Sequence, residues 1–159
     1  MLRIGGKKAA IITLTGDVLK GALPVLLARV LGVAPWIVAL VAFSALLGHI
    51  YPVFFRFRGG KGVATAFGVL VAIDPLAGAA LLGIWLVVAL IFRYSSLAAL
   101  TAAVAAPFLM GATRHSHVGL FFAATAAMSL LLLWRHRSNI RNLLSGQETK
   151  IGAKAAKVR

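Results

Sequence analysis

The stretch 56–65 reads RFRGGKGVAT, setting three cations, Arg56, Arg58 and Lys61, beside three glycines, Gly59, Gly60 and Gly62. Glycine lacks a Cβ, so its backbone N–H can come close to a ligand. Successive N–H groups in such a loop, followed at once by a helix start, form a concave site for anions. Lysine and arginine add full charge to that partial charge. The chemistry this combination suits is the holding of a phosphate. It is not the loop of a P-loop NTPase, which needs a glycine five residues before its Gly-Lys pair and a Ser or Thr after it. Phe55 and Gly62 stand in those places. The simpler alternative is a membrane loop whose cations only fix topology.

Other chemistry-bearing residues are few. A tail beginning RHRSN brings His136, Arg137 and Asn139. Histidine exchanges protons near neutral pH, arginine grips phosphate with a planar fork, and asparagine offers both a donor and an acceptor. His49 lies on the approach to the glycine loop, and Arg3 near the N-terminus. No Asp or Glu is expected beside these residues, so a divalent metal would lack carboxylate ligands there. With no cysteine, thiolate metal sites and disulfides are excluded.

These groups need elements to hold them, and the elements are apolar. The 159 residues are 61% hydrophobic, against about 45–50% for a soluble domain. The mean hydropathy is +0.97. The expected fold is therefore an all-α, polytopic membrane helical bundle. Apolar segments fall near 9–31, 34–55, 61–72, 76–92, 97–111 and 118–134, giving about six transmembrane segments. The 61–72 segment is short for a bilayer, which needs ~20 residues, and reads as a half-span with its N-terminus aimed at the loop's ligand. Asp17 and Lys20 lie on one face of the first segment, where an ionisable pair has a structural or supporting role. Residues 1–8 read as a loop. Ile140, Leu143 and Leu144 make an amphipathic surface helix, and residues 147–159 read as a disordered basic tail outside a membrane domain of 1–146.

The net charge of +14 would suggest nucleic acid in a soluble protein, but these cations sit in loops and at segment ends. One side collects the N-terminal end, the glycine loop, Arg93 and the tail, with 14 of the 17 Lys and Arg residues. The positive-inside rule makes that side cytoplasmic and gathers the chemistry on one cytoplasmic face. An interfacial enzyme fits this clustering. A small transporter or channel, the other class, would need a polar path across the membrane that only Asp17 and Lys20 could mark.

GDVLKG at 16–21, GHIYPVFFRF at 48–57, GGKGVAT at 59–65 and RHRSNIRNLLSG at 135–146 together resemble the bacterial acyl-phosphate:glycerol-3-phosphate acyltransferases, the PlsY family. The resemblance covers nearly the whole chain. It implies transfer of a fatty acyl group from a long-chain acyl phosphate to glycerol 3-phosphate at the bacterial inner membrane. The products would be lysophosphatidic acid and phosphate. It implies no cofactor and no metal, membrane lipid as surroundings, and a phosphate acyltransferase as partner that makes the donor. Catalytic roles would fall to His136, Asn139 and Lys61. Phosphate would be held by Arg3, Gly59, Gly60, Lys61 and Gly62, with His49 and Arg137 alongside. The family usually has Glu where this chain has Ser138. It also carries a further N-terminal span and a Ser-, Asn- and Gly-rich loop, so the resemblance implies that residue 1 falls at the end of that loop.

Overall fold

A computed structural model describes residues 2–113 and 117–153, with side chains from residue 6 onward. Among the described residues, seven α-helices follow one another: α1 Leu2–Val30, α2 Pro35–Ile50, α3 Val63–Ile73, α4 Pro75–Phe92, α5 Ser95–Gly111, α6 Val118–Arg135 and α7 Arg137–Leu144. Four stretches are long and apolar enough to cross a bilayer: Gly6–Val30, Pro35–Phe55, Pro75–Phe92 and Val118–Arg135. Helices α3 and α5 are apolar but shorter. The all-α bundle expected from the sequence forms, and the protein is a multi-pass membrane protein. Its outer faces carry exposed Ile12, Leu23, Leu90, Phe108 and Leu130, the surface that hydrocarbon requires.

The N-terminal end departs from expectation. Residues 2–8 are helical and not a loop, with the helix broken at Gly6, where φ is 71°. Only glycine takes that conformation freely, so the basic stretch and the apolar span meet at a kink.

Helix α3 explains the rest of the arrangement. Its 11 residues rise about 16 Å, roughly half the hydrocarbon core. Both ends of so short a helix must be satisfied inside protein. At its C-terminus the Arg29 guanidinium donates to the carbonyls of Ala72 and Ile73, the latter at 3.0 Å. Asp74 then caps α4, accepting from the Ala77 N–H at 2.8 Å ahead of Pro75. Along its length α3 lies close against α1. A Cβ at Gly68 would overlap the Val18 carbonyl, and one at Gly21 would overlap the Thr65 carbonyl. Small residues let two backbones approach where lipid supplies no hydrophobic drive between helices. Val25, Ala42, Leu46, Ile50, Val69 and Met110 fill the core around this crossing.

Candidate functional site

The glycine loop begins where α2 ends. Gly59 N–H donates to the Ile50 carbonyl at 3.2 Å, so the loop folds back on the helix that precedes it. Side chains are excluded on that side, because a Cβ at Gly60 would run into His49 Nε2. Gly62, at φ 85°, then turns the chain into α3. Among the described residues, Gly60, Lys61 and Gly62 donate no hydrogen bond. Together with the first turn of α3, they offer unpaired N–H groups beside the Lys61 ammonium.

His49 sits behind the loop. Its Nδ1 shares a hydrogen bond with Thr65 Oγ1 at 3.0 Å and lies 3.6 Å from Asp17 Oδ1. Asp17 in turn holds Lys20 Nζ at 2.6 Å. Asp17 and Lys20 therefore pair with each other next to the glycine loop and do not trace a path across the membrane. Asp17 thus lies between Lys20 and His49. Among the described residues, His49 is not part of the cavity wall.

That cavity has a volume of about 550 Å³. Its polar end carries Lys61, Ser96, His136, Asn139 and Glu148. The remaining wall includes Ser95, Thr125 and Ser129 but is mostly apolar, with Phe67, Leu81, Trp85, Met128 and Leu132 among its residues. Such a space suits a molecule with an anionic head and a long apolar chain.

Helix α6 hands over to α7 at His136, which is 3% exposed and caps both. Its Nδ1 lies 2.8 Å from the Leu132 carbonyl. A carbonyl only accepts, so Nδ1 carries the proton and Nε2 of the neutral ring is an acceptor. Burial lowers the His136 pKa below its ordinary value. The Leu132 bond opposes that, and the Lys61 charge reinforces it. The ring is thus neutral at pH 7. Asn139, one turn on, donates Nδ2 to Glu148 Oε1 at 2.8 Å, while its own buried Oδ1 has no partner among the described residues.

Glu148 overturns two sequence expectations. A carboxylate does stand at the site, and residues 147–153 are not a free tail. Gly146, at φ 69°, reverses the chain after α7. Glu148 Oε1 then accepts from Ser96 Oγ at 2.6 Å as well as from Asn139. Ile151 exchanges backbone and side-chain hydrogen bonds with Arg93, at 2.6 and 3.0 Å, and Lys150 Nζ lies 5.7 Å from the Tyr94 ring centre. Burial acts to raise the Glu148 pKa, but hydrogen bonds from Ser96, Asn139 and Asn142, with the Lys61 charge, bring it below its ordinary value. Residues 154–159 lie outside the described residues.

The cations also sort differently from the sequence reading. Arg137 is exposed, stacks 4.7 Å from the Trp134 ring and does not line the cavity. Arg135, which the sequence did not single out, donates Nη2 to the carbonyls of Gly59 and Gly60, both at 3.2 Å. Arg3 lies in α1, and its side chain is outside the described residues. The structure thus brings together Lys61, the glycines, His136 and Asn139, adds Glu148 and Arg135, and leaves Arg137 apart. Glu148 had one legible signal: a glycine placed to end an amphipathic helix and reverse the chain.

Comparison with known proteins gives concordant matches. The family model described as "Glycerol-3-phosphate acyltransferase" matches residues 1–146. The glycerol-3-phosphate acyltransferases of Burkholderia ambifaria (strain MC40-6) and Burkholderia vietnamiensis (strain G4) are 60% and 58% identical over 158 residues, which cover 97% of this chain and 73% of theirs. Two crystal structures of PlsY (YgiH), described as an integral membrane glycerol 3-phosphate acyltransferase, superpose with a TM-score of 0.87 at 38% identity. One is the lysophosphatidic acid form and covers 95% of this chain and 76% of that one. The other is the glycerol 3-phosphate form, covering 95% and 75%.

Proposed function

Because the chain belongs to the glycerol-3-phosphate acyltransferase family, we propose that it moves a fatty acyl group from acyl phosphate to glycerol 3-phosphate. The observation that carries this reading is a cavity that joins Lys61 and His136 to a mostly apolar wall. The head end suits phosphate and the apolar length suits an acyl chain. The glycerol hydroxyl oxygen attacks the acyl carbonyl carbon, and the bond from that carbon to the phosphate oxygen breaks. Lysophosphatidic acid and inorganic phosphate leave.

In this reading Lys61 and the N–H groups at the start of α3 hold phosphate and take up charge as the anhydride breaks. His136 Nε2 accepts the hydroxyl proton, and Asn139 Oδ1 orients that hydroxyl. Glu148 fixes Asn139 by occupying its Nδ2 donor. His49, braced by Asp17, shapes the loop from behind. Arg3 would reach the same phosphates from the N-terminal side. A partner phosphate acyltransferase would supply the donor. The cation asymmetry supports a site on the cytoplasmic side of the bacterial inner membrane.

The test is phosphate release from palmitoyl phosphate in the presence of glycerol 3-phosphate, by the purified protein in liposomes. Release that depends on both substrates is expected. Acyl transfer from acyl-CoA without any from acyl phosphate would overturn the donor.

A further inference from the structure

We propose that Arg135 is a positioning residue for the glycine loop: by holding the Gly59 and Gly60 carbonyls it turns the N–H groups of Gly60 and Lys61 toward the incoming phosphate. This rests on the reading of the loop as a phosphate holder.

The argument is one of peptide geometry. In a trans peptide the C=O and the following N–H lie in one plane and point in opposite directions. None of the described peptide bonds is cis. One nitrogen, Arg135 Nη2, is 3.2 Å from both carbonyl oxygens. Two successive oxygens therefore face Arg135, and the N–H groups of Gly60 and Lys61 face away from it. Neither N–H donates a hydrogen bond among the described residues. Lys61 lines the cavity and Arg135 does not. A fixed positive charge on the oxygen side also polarises each peptide, making its N–H a stronger donor.

Arg135 is itself fixed. Its guanidinium lies 5.9 Å from the Tyr51 ring centre and 6.0 Å from that of Trp134. Its buried Nε has no partner among the described residues. An unpaired buried donor is unfavourable, so the guanidinium is not placed to satisfy all its own hydrogen bonds. Its placement matches the two carbonyls. The neighbouring Arg137, two residues on and exposed, bonds the Trp134 carbonyl and not the loop.

The phosphate concerned is a dianion of either substrate, glycerol 3-phosphate or acyl phosphate, and kinetics with each varied in turn tell them apart. Arg135→Gln is expected to raise KM for one of the two by roughly tenfold, with kcat within about threefold of wild type. The substrate whose KM rises is the one held by the loop. Arg135→Lys keeps the charge but not the planar fork, and an intermediate rise of about threefold is expected. That milder variant also decides the matter should Arg135→Gln not fold. A fall in kcat with both KM values unchanged would mean that Arg135 is only a strut, and would overturn the proposal. Normal KM values in both variants would do the same. Lys61→Ala run in parallel separates the levels. Normal kinetics there sink the phosphate-holding reading itself, whereas a crippled Lys61→Ala beside a normal Arg135→Gln sinks only the role of Arg135.

Discussion

The proton on His136 Nδ1 is committed to the Leu132 carbonyl, which makes the pH behaviour of this residue a test of its role. Burial and the Lys61 charge set its pKa below the ordinary 6.5. The neutral ring needed for proton acceptance therefore persists below pH 6.5, and the acid limb of the kcat/KM profile is expected beneath that value. His136→Gln should remove the limb along with most of the activity. Stability follows the same sign. On acidification the unfolded chain takes up the His136 proton first, so stability is whole above 6.5 and falls as pH drops below it. Glu148, whose folded pKa is also lowered, adds stability above its ordinary 4.5 that is lost on further acidification. A thermal melt that improved between pH 6.5 and 4 would contradict both. Lys61→Ala should lower kcat/KM by about 10²–10³ while leaving the helical content unchanged, since it removes a preorganised charge at a developing anion. A loss smaller than about threefold would instead mark Lys61 as a topology anchor. Lys61, His136 and Asn139 were legible because their residue types name their chemistry. The choice between Arg135 and Arg137 was not. It depends on which way the chain turns at His136, between α6 and α7, and that turn has no mark in composition.

At the scale of the element, α3 was visible in the sequence as an apolar run too short to cross. What holds it in place was not visible. Arg29 sits 43 and 44 residues from the carbonyls it caps, and nothing local connects them. The contact of Gly68 with the Val18 carbonyl was equally hidden, because glycine in an apolar helix reads as mere tolerance. It is a strict requirement in the structure. Gly68→Ala puts a methyl group into a backbone carbonyl that cannot rotate away, and should lower stability by about 1–3 kcal/mol. The measurement is the melting temperature in detergent, with Gly83→Ala as control. A Cβ at Gly83 meets nothing within 4 Å. Equal melting of the two variants would show that α1 and α3 are not in close contact.

For the whole molecule, the expectation is a glycine loop and a tail sharing one side of the bilayer. The chain has no cysteine, so single cysteines report cleanly. Ser145→Cys, exposed after α7, should react with an impermeant maleimide only once cells are permeabilised. Ala112→Cys, exposed after α5, should react in intact cells. The reverse pattern would put the polar end of the cavity outside. Helical class and membrane character were readable from hydropathy, which is a sum over many residues. The return of residues 147–153 onto Arg93 and Ser96 was not, since a basic, glycine-containing stretch gives no hydrophobic pattern to follow. That return has a consequence for biogenesis. The chain is made in order, and Glu148 follows all of α1 to α6. The carboxylate bound to Asn139 and Ser96 is thus the last part of the cavity wall to be synthesised, and its two hydrogen bonds can form only after the helices that carry their donors.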